Sequence, residues 1–316
     1  MKLKLMTRNI EKLKDTLTLI SHLRKFVILK ITPKELNVIS VNSGSVNSEP
    51  QVWCKLNTSQ LFESMEISSM RDNTISMEIN IDLLLQTLRN FDKANSEGLN
   101  IRLQRTDASG EQGTSTKNGR TASLALFYSN INVNSNVINH TFKIPVKILK
   151  EAQDFFHEPS HSDVGLIVRL PNEFVTIFKR LEKFKKTSFN DIVAIQASNR
   201  DDGSLKFVLE DDGKFKVTVS WKTKLEFHKP TVTDADTFRE SLKNVDTMVS
   251  ENSDLWSPEA VNIKVKLKDW QSASKIVGRC KTVILCVGHR NCSLHCLLDE
   301  TEDVELVYFI NGVRSL

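Results

Sequence analysis

Asp15–Phe26 reads DTLTLISHLRKF, and Glu173–Phe184 reads EFVTIFKRLEKF. Both stretches place apolar residues at three- and four-residue spacing, the period of a helix with one buried side, and both close on a charged pair and a Phe. A second pair repeats the relation. Ile75–Phe91 (ISMEINIDLLLQTLRNF) and Asn262–Gly278 (NIKVKLKDWQSASKIVG) each alternate like a strand and then change to helical spacing. The chain therefore reads as two copies of one unit, each containing two helices.

Outward from these four segments, period-two runs dominate. Lys2–Thr7, Phe26–Thr32, Glu35–Val41, Gln51–Leu56, Leu99–Arg105, Ala122–Ser129 and Val137–Leu149 read as strands of the first half. Val164–Leu170, Asp191–Ser198, Leu205–Glu210 and Lys214–Lys222 open the second half, and strands near 282–288, 292–298 and 304–311 close it. This pattern predicts an α+β chain of largely antiparallel sheets with the helices on one side. The expected first domain is 1–149, with a Gly-, Ser- and Thr-rich loop at 106–121 that is expected to be mobile. Residues 150–163 are the expected linker. The second domain is 164–316, with a long acidic insertion at 223–259 that has no sustained period and is expected to be partly disordered.

Length and composition fit a folded two-domain protein: 316 residues, 40% hydrophobic and 26% charged. The apolar runs fall far short of the ~20 residues of a membrane-spanning helix. The start, MKLKLMT, alternates like a strand and lacks the apolar core of a secretory signal. An intracellular protein with no membrane role is expected. The five cysteines are then expected to be free thiols.

A net charge of +4 is too small to argue nucleic-acid binding from the total. Placement is more informative. With the apolar stripes on the sheets, the free side of the first helix carries Lys14, Thr18, Ser21 and Lys25. The second carries Gln86, Arg89 and Lys93; the third Thr176, Lys179, Lys183 and Lys186; the fourth Lys268, Ser272, Lys275 and Arg279. His22 and Arg180 are neighbours of these stripes. One such stripe is an ordinary solvated face. Four equivalent ones, poor in acids and without aromatics, suit a phosphate backbone contacted without base stacking.

Other candidates are weaker. Cys286, His289, Cys292, His295 and Cys296 are dense in metal-ligand types, but they lack paired Cys-x-x-Cys knuckles, and buried thiols explain them better. Asp201-Asp202 and Asp211-Asp212 suggest a two-metal nuclease, yet each pair immediately precedes a Gly, as in a tight turn. No cofactor or metal is expected.

Several segments together resemble the sliding-clamp fold of the proliferating-cell nuclear antigen family. They are Met1–Leu5, the strand Val52–Leu56, Phe142–Leu149, the pair Glu158-Pro159, Lys268-Asp-Trp270 and Tyr308-Phe-Ile310. Within that family the chain is most similar to the Hus-type subunit of the nine-one-one DNA damage checkpoint clamp, in its fungal mitosis-entry-checkpoint form. The resemblance spans nearly the whole chain and departs from the family at 106–121 and 223–259.

The resemblance implies two similar domains, with sheets outside and helices on the inner face, and three subunits closing a ring around DNA. It places Gln86, Arg89, Lys179, Lys183, Lys268 and Lys275 toward DNA. The internal repeat adds Lys14 and Lys25, and the stripes add Lys93, Arg180, Lys186 and Arg279. Residues 150–163 become the interdomain connecting loop, with Phe155, Phe156, His157, Glu158 and Pro159 as the docking segment for clients. The implied role is non-enzymatic and nuclear. The implied partners are two other clamp subunits, a clamp loader, double-stranded or primer-template DNA without sequence specificity, and checkpoint kinase machinery. Ring closure is expected to use Ala122–Ser129 and one strand of 205–222. The alternatives are a homotrimeric replication processivity clamp and a metal-dependent nuclease.

Overall fold

The structure is a computed structural model. It describes residues 1–41, 49–91, 96–105, 121–131, 136–150, 157–184, 191–200, 203–211, 215–221, 223–225, 227–230, 235–243, 260–298 and 304–313. The chain divides into two compact units, one of Met1–Val41 with Trp53–Phe156 and one of Asn42–Val52 with His157–Leu316.

The first unit runs β1 (Lys2–Thr7), α1 (Glu11–Ser21), β2 (Phe26–Ile31), β3 (Glu35–Ser40), β4 (Gln51–Asn57), α2 (Thr58–Leu61), β5 (Ser64–Ser68), β6 (Ile75–Asn80), α3 (Ile81–Arg89), β7 (Leu99–Arg105), β8 (Thr121–Ile131) and β9 (Val137–Ile148). The second runs β10 (Val164–Leu170), a 3-10 turn at Asn172–Phe174, α4 (Val175–Glu182), β11 (Ile192–Ser198), β12 (Ser204–Asp211), β13 (Phe215–Trp221), β14 (Phe227–His228), α5 (Ala235–Lys243), β15 (Ala260–Lys266), α6 (Leu267–Ser272), α7 (Ser274–Val277), β16 (Thr282–Gly288), β17 (Asn291–Leu297) and β18 (Val304–Asn311).

The repeat extends to strand order. In the first unit the strands lie side by side as β5-β1-β7-β8-β9 and as β6-β2-β3-β4, and in the second as β14-β10-β16-β17-β18 and as β15-β11-β12-β13. The two rows of the first unit join where Met77, Glu78 and Ile79 pair with Ile148, Lys147 and Val146. At the corresponding join in the second unit the Val313 amide donates to the Lys264 carbonyl at 2.7 Å. The pairings of β1 with β7, β8 with β9, β11 with β15 and β16 with β17 are antiparallel, as the alternating sequence predicts.

Local sequence explains the helix starts. The Asn80 side chain accepts from the Asp82 and Leu83 amides, Asp82 occupies the first turn of α3 and Arg89 its last, so cap and dipole agree. Asn9 accepts from the Glu11 amide at 3.2 Å and leads into α1. Apolar stripes then bury Leu13, Leu17 and Ile20 from α1, and Leu84, Leu85 and Leu88 from α3. In the second unit Phe178 of α4 stacks on Trp270 of α6 with centroids 5.0 Å apart, and Trp270 also meets Phe207 of β12 at 5.1 Å. This aromatic block seats the helix pair on its sheet. The tight turn expected before β12 is supported by Gly203, which has φ +79°; a Cβ there would lie 2.4 Å from the Leu225 carbonyl.

The structure corrects three expectations. The first helix stops at Ser21, so Lys25 lies in the connection to β2, where its carbonyl accepts from the Ile81 amide at 2.9 Å. Pairing of Phe26 with Asn80 requires the chain to reverse there, and tertiary pairing overrides the helical pattern. The fourth helix, expected to be continuous over 268–278, is broken at Ala273, whose amide donates to the Trp270 carbonyl three residues back. Ala122–Ser129 is no edge, because β8 is bonded to β7 on one side and to β9 on the other. Alternation reports which face is buried and carries no information about which edge is free. Within the 223–259 insertion, expected to be partly disordered, the described residues form β14, paired with β10, and helix α5, whose Phe238, Arg239 and Leu242 are buried. Loop residues 106–120 and insertion residues 244–259 lie outside the described residues.

Candidate nucleic-acid interface

The free helix sides differ between the units. On α4, Ile177, Phe178 and Leu181 are buried, whereas Lys179 and Arg180 in the last turn and Lys183 just beyond it are exposed. Lys179 and Lys183 are four positions apart and so share a side. Lys268 of α6, Lys275 of α7 and Arg279 in the turn that follows are also exposed. Because α4 packs on α6 and α7 through the Phe178–Trp270 stack, these two basic groups are held on neighbouring helices. Among the described residues none of the six forms an ion pair. The acid of α6, Asp269, is half-buried; burial pushes its carboxyl pKa up and outweighs the pull of Lys266 and Lys268.

In the first unit α1 and α3 pack side by side, and the exposed side of α3 presents Gln86 and Arg89 with Leu83 and Asp82. The side of α1 is less basic than its sequence suggests. Lys14 is half-buried and its Nζ lies 2.6 Å from Glu11 Oε2, while Asp15 is exposed. Lys25 and His22 are exposed beside the start of β2. Lys93 and Lys186 lie outside the described residues. The basic density is thus concentrated on the second unit.

With this arrangement in view, comparison with known proteins is decisive. A family model described as Hus1-like protein matches residues 1–314. The chain belongs to the Hus1-like protein family. It is 25% identical over 343 residues to the DNA damage checkpoint control protein MEC3 of Eremothecium gossypii, covering 90% of this chain and 89% of that protein. It is 24% identical over 294 residues to the checkpoint protein hus1 of Schizosaccharomyces pombe, covering 91% and 90%. A crystal structure of PCNA from Thermococcus kodakaraensis superposes with a TM-score of 0.60 at 10% identity, covering 98% of this chain and all of that one. The Hus1-like chain thus has the sliding-clamp fold, as its sequence resemblance implied.

Of the docking segment, Phe155 and Phe156 lie outside the described residues, His157 is exposed and Pro159 is half-buried. The structure corrects the placement of Glu158. Its side chain is only 10% exposed and forms an ion pair with Arg239 of α5, so it is directed into the domain. The sequence reading missed Arg239 and its neighbours His161 and Glu305, and weighed His295 only as a metal ligand. A signal for them was present. Thr282–Val287 (TVILCV) is apolar without alternation, which marks a strand covered on both faces and therefore a covering element.

Cys286, Cys292, Cys296 and His295 are all buried, whereas His289 is exposed. Burial raises the pKa of the Cys292 thiol to about 12 and that of Cys286 further. Protonated, dry thiols are poor metal ligands. Among the described residues no group of three metal-ligating side chains converges. Asp201 and Asp202 lie outside the described residues.

Proposed function

We propose that this Hus1-like chain works as a non-enzymatic subunit of a DNA damage checkpoint sliding clamp, one of three different subunits that close a ring around DNA in the nucleus. Its basic helix sides would face the duplex, with Lys179, Arg180, Lys183, Lys268, Lys275 and Arg279 contributing most of the field and Gln86, Arg89, Lys14 and Lys25 less. The contacts would be to phosphates without base readout, which suits a body that must slide. A ring tolerates weak contact because topology prevents dissociation, and this accounts for the small net charge. Loading by a clamp loader, docking of clients along the connecting loop and signalling through checkpoint kinases complete the reading.

The observation that carries it is the doubled arrangement: each unit pairs two helices on one side of its sheets and leaves a strand edge unpaired. Among the described residues, the outer edge of β9 is bonded only at its last three residues, Val146–Ile148, and Val137 and Ile138 at its start are 62% and 47% exposed. β13 is bonded only to β12 among the described residues. Open edges of this kind support head-to-tail pairing of subunits. Ring closure through β9 and β13 replaces the expected use of Ala122–Ser129. Light-scattering mass measurement of the chain alone and with candidate clamp subunits tests this. A monomer that forms a 1:1:1 complex supports it, and a stable homotrimer would point to a processivity clamp.

A further inference from the structure

A buried arginine joins three segments of the second unit that lie far apart in sequence. Arg239, on the inward side of α5, has a side chain 3% exposed. Its Nε donates to Glu158 Oε1 at 3.0 Å, and its Nη1 lies 3.0 Å from Glu305 Oε2 on β18. Burial opposes the charge, but the Glu305 and Glu158 carboxylates outweigh it and hold the guanidinium pKa above its ordinary value. Beside this group His161 Nε2 sits 3.2 Å from His295 Nε2, and the latter sits 3.2 Å from Ser293 Oγ.

Apolar contacts complete the joint. Phe238 stacks on His161 with centroids 4.4 Å apart, and Phe238 and Leu242 cover Val164, Ile167, Ile284 and Cys286. These residues lie on the face of β10 and β16 opposite to Leu170 and Val283, which line a cavity together with Val175 and Val277 of the helix pair. Helix α5 therefore covers the sheet face that the clamp helices leave free.

A nine-residue helix does not hold itself together in water. What fixes α5 is the Phe238–Leu242 contact and the Arg239 fork. Separating Arg239 from Glu158 at this depth would cost Glu158 its guanidinium and leave Arg239 with Glu305 as its carboxylate. The opening that keeps the Arg239–Glu158 pair intact is one in which both move together.

We propose that Arg239 is a positioning residue that clasps the end of segment 150–163 to α5, so that the two open and close as one body on the outer sheet. The insertion thereby sets where the segment leaves the domain. The clasp stands on the geometry alone; its control of client docking rests on the clamp reading above.

Hydrogen exchange followed by mass spectrometry on the full chain tests the clasp. In Glu158→Gln, amides of α5 should exchange faster by about ten- to a hundredfold, together with those of residues 157–163, while β11 and β12 are unchanged. Arg239→Met should do the same from the other side. Loosening confined to the substituted segment, or spread evenly over the unit, would overturn the proposal. If either variant fails to fold, the unaltered chain in sub-denaturing urea decides it. The two segments should then share one opening free energy and one urea slope, and differing values would overturn the clasp. Retention on DNA is measured separately, so the clamp reading and the clasp can each fail alone.

Discussion

Arg239 Nε lies 3.0 Å from Glu158 Oε1, bridging 81 positions of sequence and joining the insertion to the segment between the two repeats. With Glu305 on its other side the guanidinium is enclosed by carboxylates in a dry site. Arg239→Ala removes the cation between two largely buried carboxylates and should cost about 3–5 kcal/mol of the second unit's stability. Adding Glu158→Gln and Glu305→Gln to Arg239→Ala should recover part of that loss. Urea unfolding of the three proteins checks both statements.

The neighbouring imidazoles give this joint a pH dependence. Burial, reinforced by His295 and Arg239, holds the His161 pKa down to about 3 against an ordinary 6.5, and burial also lowers that of His295. Between those values the unfolded chain takes up a proton that the folded one refuses, so stability falls as pH drops below 6.5. The slope should reach about 1.4 kcal/mol per pH unit for each such imidazole. Burial raises the Glu305 pKa, but His295 and Arg239 outweigh it and hold the carboxyl at about 2. Its contribution is present above 4.5 and is lost only in stronger acid. The loss between pH 6.5 and 5 thus belongs to the histidines. His161→Phe, which keeps the ring packing against Phe238 and Phe309, should flatten the dependence in denaturant melts over that range.

The thiols should differ in reactivity. Cys54, Cys286, Cys292 and Cys296 are buried and Cys280 is half-exposed. Brief native alkylation at neutral pH should modify Cys280 first and the others only after unfolding. Peptide mapping of the alkylated chain reads this directly.

The basic helix sides predict a specific loss. Reversing Lys179, Lys183, Lys268 and Lys275 to Glu should weaken DNA association of the assembled complex. It should also lower the slope of log affinity against log salt by roughly 3–4, since each phosphate contact contributes about 0.9. All four side chains are exposed, so the thermal midpoint should hardly move. Unchanged binding with an unchanged salt slope would remove these residues from the interface.

Much of this architecture was legible in sequence, for identifiable reasons. The stripes Leu13–Leu17–Ile20 and Ile177–Phe178–Leu181 report helices because burial on one side imposes a 3.6-residue period. Lys179, Lys183, Lys268 and Lys275 are exposed because the stripes beside them are buried. Most of the misreadings share one cause: tertiary partners that local pattern does not encode. Lys25 leaves its helix because Phe26 must meet Asn80. Lys14 is the exception, since the Glu11 that partly neutralises it is a local partner three positions earlier. Glu158 looked like a surface residue in a polar stretch, and its partner lies in an insertion with no sustained period. The continuous apolar run of β16 is the one local sign that α5 exists.

The central claim is topological, and one measurement addresses it most directly. The chain, assembled with its partner subunits and loaded by the clamp loader onto nicked circular DNA, is washed at a salt concentration that dissolves phosphate contacts, and the DNA is then cut. The account predicts retention on the circle and release on linearisation. Equal loss from circular and linear DNA in the wash, or equal retention on both, would contradict it.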